Sequence, residues 1–553
     1  MRIPSIPQIY RHVNRWREIV TVLSKYGLAG WISRLDVDFV KGLLKTRDGQ
    51  LLARQSREVR IRMALEELGP TFIKLGQILS TRPDVVGISL AEELRRLQAE
   101  VPADPPEVAK AIIEAELGQP LQDIFCNFDD VPLASASIGQ VHRAQLHTGE
   151  KVVVKVQHAD ICGRVSTDLD MMSGLAQLAE RIPEFSYYRP TVLVAEFKRA
   201  LQRELDFSRE ERNLCQFERD FDDDPTVHIP HSYPAYCTNR VLTMEMLEGV
   251  KLSELNGQLA AQLDPQKLAR RGAEMYLKMI FTRGFYHADP HPGNLVLLED
   301  NVVGLMDFGL VGRLDESMRE DIEDMLAAIV DQDATLLTSI IMRVGATPAD
   351  LDQSLLAVDV ADFVDHYGSQ PLASFDLAGA LQEMVELIRR YHITLPAQLA
   401  MLIKVLIMLD GTGTLLSPQF ALIEIMQPYR RKMMRRRMSP RRQWKKLRRI
   451  VVETEQLIEI LPRRMMDILE QVQSGKFDVH LDHRGLEPSV NRLVWGMITS
   501  ALFLGSSIML SRDVWPTLYE VSIPGALGCT VSLLLSIRLL RAINKSGHLD
   551  RRQ

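Results

Sequence analysis

Between Phe285 and Leu297 the chain reads FYHADPHPGNLVL, which sets Asp289 between His287 and His291 and puts Asn294 five residues further on. A loop of this kind could hold a metal through its histidines, present a catalytic carboxylate, or be a solvated turn. Residues downstream choose between these. Asp307-Phe308-Gly309 follows thirteen positions after Asn294, just past the apolar run NVVGLM. Asp and Asn at that separation can share a hairpin-like loop and offer oxygen donors to one Mg²⁺, the donor type this hard cation takes. No cysteine or further histidine is spaced for zinc.

Two upstream segments extend the pattern. Leu133, Ala134, Ser135, Ala136, Ser137, Ile138, Gly139, Gln140 and Val141 give the shape A-x-A-x-x-G-x-V, a kinase phosphate loop with alanine at the first two glycine positions. Small residues let backbone N–H groups approach phosphates closely, although they also make ordinary hairpin turns. Lys155 lies fourteen residues after Val141, inside VVVKVQ. A lysine in a β-branched run either points to solvent from an edge strand or is buried with a partner, because an unpaired buried ammonium is costly. Loop, lysine, H-x-D-x-x-x-x-N and D-F-G in this order are the parts of a kinase site. Lys155 would hold the α/β-phosphates, Asp289 the attacking group, and Asn294 and Asp307 the Mg²⁺. His287 and His291 then become structural.

With these motifs in order, the chain resembles the UbiB/AarF family of atypical kinase-like proteins, called ADCK in eukaryotes. The resemblance covers roughly residues 55–320. It adds K-x-G-Q at Lys74-Leu75-Gly76-Gln77 and E-x-D at Glu204-Leu205-Asp206. It implies ATP or ADP with Mg²⁺ as ligands, and an N-terminal extension folded over the active site, with Lys74 and Gln77 facing Glu204 and Asp206. It favours Glu210 as the carboxylate for Lys155. Asp206 shares a helix face with Glu210 at i, i+4, so that choice stays open. The hinge is expected at Glu245 to Leu247, whose backbone would hold adenine, with Met244 at the back of the pocket. Selective nucleotide binding, lipid-stimulated ATPase activity and a link to ubiquinone or other isoprenoid-lipid biosynthesis also come with the family. Quinone precursors and the enzymes of their synthesis are the partners it implies.

The residues around Lys74 can be read independently. Lys74 and Gln77 share one helix face, Phe72, Leu75 and Leu79 lie opposite, and Ile73 and Ile78 flank the polar side. A helix apolar nearly all round is a buried one, so its polar face should meet a cavity. Departures from ordinary protein kinases point the same way. His287-Ala288-Asp289 lacks the usual arginine, no A-P-E follows D-F-G, and alanines stiffen the phosphate loop. These features argue against protein substrates. The leading reading is a membrane-anchored ATPase or small-molecule kinase. A protein kinase acting on biosynthetic enzymes and a non-catalytic nucleotide-gated scaffold are the competing ones.

The elements that must carry these residues define an α+β chain: a bilobal, atypical protein-kinase-like fold with a helical N-terminal extension and a C-terminal transmembrane hairpin. The expected boundaries are residues 1–120 for the extension, 121–250 for the N-lobe, 251–428 for a mainly helical C-lobe, 429–490 for a basic juxtamembrane segment, 491–540 for the hairpin and 541–553 for a cytoplasmic tail. Residues 430–449 hold twelve Lys or Arg. Beyond them, Leu493 to Leu510 and Val521 to Ile537 contain no ionised side chain, and each approaches the roughly 20 residues that span a bilayer. Trp515 and Tyr519 between them suit an interface. The excess of Arg and Lys outside the pair places both flanks in the cytoplasm, and the basic run beside anionic lipid.

A chain of 553 residues exceeds one ordinary core, and 46% hydrophobic with 25% charged residues describes a globular protein. A net charge of -6 argues against a dedicated nucleic-acid binder. Five scattered cysteines give neither a disulfide framework nor a zinc site, and the N-terminus does not read as a secretory signal. The expectation is an inner-membrane protein with its kinase-like part in the cytoplasm.

Overall fold

The computed structural model describes residues 6–28, 55–97, 101–180, 189–254, 264–348, 351–371, 375–437, 444, 448, 454, 466, 486–512, 514–518 and 521–545. Half of the basic run, Tyr519 and residues 546–553 lie outside the described residues. The chain forms two compact units, Met1–Arg442 and Gln443–Gln553.

The larger unit begins with helices α1 (Ile6–Lys25), α2 (Arg57–Leu68), α3 (Pro70–Leu79), α4 (Pro83–Val86) and α5 (Ile88–Arg95). The K-x-G-Q residues sit in α3, which starts on Pro70 after Gly69 at φ 92°. Gly76 packs closely there: a Cβ would stand 2.1 Å from Leu97 Cδ1 and 3.0 Å from Leu65 Cδ1, so the leucine ends would have to move. Helices α6 (Pro106–Leu117) and α7 (Leu121–Ile124) lead into the first sheet.

That sheet is antiparallel, ordered β1 (Phe125–Phe128), β3 (Gly139–Leu146), β4 (Lys151–Gln157), β6 (Val241–Glu245), with β2 (Ala134–Ser135) also paired to β3. Side chains alternate across a strand. Val152, Val154 and Val156 of β4 therefore face α6, in a cluster with Ala109 and Ile113. Val153 and Lys155 point to the other side, where Val153 joins a cluster with Met244, Phe217 and Leu305. Between β4 and β6 run α8 (Ile161–Ala179), α9 (Pro190–Glu204) and α10 (Phe207–Phe221). Helix α8 packs with α1, α2 and α3 through Val165, Leu169, Ile19, Leu68 and Phe72.

A second sheet, ordered β5 (Val227–His228), β10 (Val303–Leu305), β9 (Leu295–Leu297), β7 (Val250–Lys251), carries the loop that ends in Asp307. A two-stranded pair joins β8 (Phe285–His287) to β11 (Val311–Arg313). Helix α11 (Pro265–Leu277) precedes β8 and ends in a wider π turn, Lys278–Arg283, closed by Gly284 at φ 69°. After β11, Asp315 caps α12 (Glu316–Val330) by accepting from Met318 N at 2.7 Å, so the chain turns helical almost at once after D-F-G. Helices α13 (Ala334–Val344), α14 (Gln353–Gly368), α15 (Leu377–Arg390), α16 (Ala397–Leu416) and α17 (Leu422–Arg437) complete the unit. By length and composition α16 could cross a membrane. It is instead packed against α11 and α15, with Leu402, Ile403, Val405 and Leu406 buried.

The smaller unit is a hairpin of α18 (Leu486–Ser511) and α19 (Ile523–Lys545), joined through the short strands β12 (Thr517–Leu518) and β13 (Val521–Ser522). Leu493–Ser511 and Ile523–Arg541 are long and apolar enough to cross a membrane, and only 11% of each is buried. The packing is inside out relative to a soluble core. Thr499, Ser506 and Ser532 are buried between the helices, while Leu493, Leu504, Leu533 and Leu540 are exposed. At Gly525 a Cβ would stand 2.8 Å from Leu510 N, and at Gly528 2.0 Å from Ser506 Oγ. Small residues at such a seam are how apolar helices approach in lipid.

Gly312 gives a direct test of packing around the β8–β11 pair. A Cβ there would lie 2.1 Å from the Tyr286 ring, which is fully buried and donates its hydroxyl to Gln398 O at 3.0 Å. Because that ring has nowhere to withdraw, Gly312→Ala is expected to destabilise the larger unit by about 1–3 kcal/mol. The measurement is the midpoint of chemical unfolding, and a midpoint equal to the unsubstituted protein's would show that the ring has room.

Candidate active site

Lys155 enters the cleft from β4 and meets α10. Its Nζ lies 2.8 Å from both Glu210 oxygens and 3.7 Å from Asp307 Oδ1, with the ammonium 5.2 Å from the Phe207 ring centroid. The choice between two carboxylates is settled by where the helix starts. Asp206 stands outside α10 as its N-cap, accepting from Ser208 N at 3.2 Å and facing Arg212 at 3.8 Å. Glu210, one turn in, is 5% exposed and points at the lysine. The expectation that Asp206 faces the extension is therefore corrected: its carboxylate is taken by the cap.

The extension reaches the same place. Lys74 of α3 forms a short ion pair with Glu204, the last residue of α9, while Gln77 is half-buried on the same helix. Burial alone would push both lysines down. Glu204 outweighs it for Lys74, and Glu210 followed by Asp307 outweighs it for Lys155, so both ammonium groups are held above their usual range. Glu210 is pushed up by burial, with Lys155 opposing. Asp307 is driven well below the carboxylate range by Lys155, against burial, with Lys74 adding to the effect.

Asp307 has φ 57°, an uncommon conformation for a residue other than glycine. Three contacts hold it: Gly309 N donates to its Oδ1 at 3.1 Å, His287 Nε2 bonds its carbonyl, and Asn213 Nδ2 from α10 donates to the Phe308 carbonyl at 3.0 Å. Phe308 is fully buried, with ring centroids 5.6 Å from Phe217 and 6.2 Å from His287. The β9–β10 hairpin sets Asn294 beside this loop, Met306 N donating to Asn294 O at 2.9 Å.

The loop that carries Asp289 is tied at both histidines. His287 Nδ1 accepts from Asp289 N at 3.2 Å and His291 Nδ1 from Gly293 N at 3.1 Å. Asn294 Nδ2 donates to Asp289 O and to Asp289 Oδ2, each at 3.1 Å. On the other side of the carboxylate, Lys404 Nζ from α16 lies 3.6 Å from Oδ1. Sequence reading missed Lys404. Its one signal was a single lysine inside the apolar run AMLIKVLIML.

The small-residue loop folds as a tight β2–β3 hairpin, with Ala134 opposite Val141 and Ser135 opposite Gln140. Ala136 N donates to Gly139 O at 2.9 Å. Gly139 must be glycine, because a Cβ would stand 2.4 Å from Val156 O. Leu133, Ala134 and Ala136 are exposed and Ser135 half-buried. Ser137, Ile138 and Gln140 turn their side chains inward: Ile138 joins the cluster containing Phe72, and Gln140 accepts from Asp104 N at 2.7 Å. Their side chains belong to the scaffold. His158 pins the tip through the Ala136 carbonyl at 2.9 Å. At the hinge, Glu245 N and Met246 N donate to His231 O and Lys151 O, and the Glu245 side chain bonds His228. The chain leaves the sheet toward Leu247, and Met244 is buried behind.

No group of three or more His, Cys, Asp or Glu able to hold a metal occurs among the described residues. The site still fits a hard divalent cation shared with phosphate. Glu204, Glu210 and Asp307 bring three carboxyl groups to two lysines, Lys155 holds Asp307 well below the usual carboxylate range, and the Asp307 side chain is 56% exposed. A few oxygen donors completed by phosphates and water are what Mg²⁺ takes.

A strand lysine paired with a helix glutamate, a D…N catalytic loop and a buried D-F-G phenylalanine define the kinase-like class. Within it, the chain belongs to the ABC1/UbiB atypical kinase-like family. The ABC1 atypical kinase-like domain matches residues 96–341, the UbiB helical domain 360–421, and the ABC1/UbiB kinase-like C-terminal domain 480–545. An uncharacterized protein of the hydrogenase 1 5' region of Clostridium pasteurianum is 30% identical over 544 residues, covering 97% of this chain and 100% of its own. "Probable protein kinase UbiB" of Xylella fastidiosa strain 9a5c is 32% identical over 472 residues, covering 83% of this chain and 86% of its own. A solved chain, Rv3197 of Mycobacterium tuberculosis in complex with erythromycin, is 24% identical, with a TM-score of 0.45 over 66% of this chain and 93% of that one.

The pairing at Lys155 can be tested by stability. Glu210→Ala leaves a buried ammonium without its close partner, with Asp307 at 3.7 Å the nearest remaining carboxylate, and should cost about 3 kcal/mol or more. Lys155→Met combined with Glu210→Leu removes both charges and should recover most of that loss in thermal unfolding. A double variant as unstable as Glu210→Ala would show that the pair is not the source of the cost.

Proposed function

We propose that this chain is a membrane-anchored, Mg²⁺-dependent ATPase or small-molecule kinase that supports ubiquinone or other isoprenoid-lipid biosynthesis. The observation that carries the reading is the gathering of Lys155, Glu210, Asp307, Asn294 and Asp289 around one cleft, with the Lys74 helix beside them. The unit is read as two-lobed, with ATP between the first sheet and the helical part. The exposed small-residue loop would lie over the phosphates and the Leu247 backbone along the adenine. Lys155, fixed by Glu210, would hold the α/β-phosphates. Asp307 and Asn294 would hold Mg²⁺, which when bound neutralises charge on the phosphates. Asp289, oriented by Asn294 and the His287 ring, would accept the proton of the attacking water or hydroxyl.

The absence of A-P-E after D-F-G and the extension packed at the cleft favour a small acceptor over a protein one. The apolar α18–α19 hairpin favours a lipid setting, with its flanks in the cytoplasm and the basic run near the inner leaflet. A link to quinone precursors and their enzymes follows from family membership and the UbiB name carried by relatives.

Phosphate release from ATP is the test, measured with the full chain in anionic vesicles. Vesicles should stimulate it, chelation of Mg²⁺ should abolish it, and Asp307→Asn should reduce it by roughly two orders of magnitude or more. Tight nucleotide binding with no turnover, unchanged by vesicles or by a quinone-precursor mimic, would replace this reading with the nucleotide-gated scaffold.

A further inference from the structure

Lys404 lies inside α16, in the helical domain that follows the kinase-like match, and its side chain is 7% exposed. A lysine so buried needs a partner. Among the described residues the carboxylate it meets is Asp289, at 3.6 Å, longer than the about 2.7–2.9 Å of a close charge-assisted bond. The second Asp289 oxygen is occupied by Asn294 Nδ2. Arg95 from α5 and Lys74 from α3 add positive charge around it. The ammonium is thus under-neutralised, beside the carboxylate that faces the attacking group.

The catalytic loop has no cation of its own, since no Lys or Arg occurs between Asp289 and Asn294. Helix α16 is anchored beside that loop. Arg82 and Asp84, ion-paired at 2.9 Å and buried, bond the backbone of Leu395 just ahead of it, through Arg82 Nη2 to Leu395 O at 3.2 Å and Leu395 N to Asp84 Oδ2 at 3.3 Å. Tyr286, on the strand leading into the loop, bonds Gln398 O in the first turn of α16.

We propose that Lys404 is a catalytic cation delivered by the helical domain, which contacts the terminal phosphoryl group of bound ATP beside Asp289. This rests on the phosphoryl-transfer reading and names a residue for it outside the kinase-like domain. Lys155 holds the inner phosphates and Lys404 the one that leaves. Burial holds the free ammonium below its usual range, with Asp289 opposing, so an arriving phosphoryl oxygen strengthens its charge.

The experiment compares ATP and ADP affinities, phosphate release and thermal stability for the full chain, Lys404→Met and Lys404→Arg. Lys404→Met should unfold at or above the wild-type temperature, bind ADP unchanged, lose about tenfold or more in ATP affinity and lose turnover. Lys404→Arg should keep part of the preference for ATP. If Lys404→Met does not fold, Lys404→Gln read in the same way replaces it. Equal losses for ATP and ADP would overturn the assignment in favour of a structural role. Unchanged ATP affinity and turnover in a folded variant would overturn it outright. A wild-type protein that binds neither nucleotide would remove the phosphoryl-transfer reading, and this assignment with it. Where wild type binds both but turns over neither, the ATP-to-ADP ratio still decides.

Discussion

Taking the Lys155 ammonium out of water is the constraint around which the larger unit is arranged. A strand whose valines are fully buried on one face can carry a lysine on the other only if a carboxylate waits there. Glu210 meets that need because α10 runs beside the sheet with its second turn at the lysine. Asp307 lies near enough to share the charge, and Lys74 compensates Glu204 next to it. Each ion in the cluster is tolerable only while the others stay, so the extension, the first sheet, α10 and the D-F-G loop hold one another in register. A site built this way is stiff before any ligand arrives.

Much of this was legible in the order of short motifs. Lys155, Asp289, Asn294 and Asp307 could be aligned by spacing because each sits in a strand or hairpin loop whose geometry local sequence largely sets. The partner of Lys155 was not legible to the same degree. Asp206 and Glu210 are one helical turn apart on paper, and only the start of the helix separates them. A residue used as a cap lies outside the helix proper and turns its side chain back to the first turn. Ile138 and Gln140 show a similar limit. A small-residue loop suggests phosphate contact at every position, whereas alternation in a tight hairpin sends some side chains inward.

Helix α16 shows where composition alone misleads. Its apolar run satisfies the same length and hydropathy as the two helices of the C-terminal hairpin. The difference lies in what covers it: α16 is enclosed by α11 and α15, whereas α18 and α19 bury serine and threonine between them and turn leucine outward. Lys404 marks the distinction from within, because its carboxylate partner comes from a loop far upstream. Periodicity within a single helix contains no trace of that loop.

The bonds from Arg82 and Asp84 to Leu395 span 313 and 311 positions of sequence. During synthesis the extension must therefore wait for almost the whole larger unit to leave the ribosome before it can close, at roughly 5–20 residues per second. Until then the ion cluster lacks its final support, and contacts this distant make the last step of folding a slow one. The chain order helps, since the helices that finish the unit emerge before the exposed leucines of α18 and α19. The charged interior can be sealed before the oily surface appears.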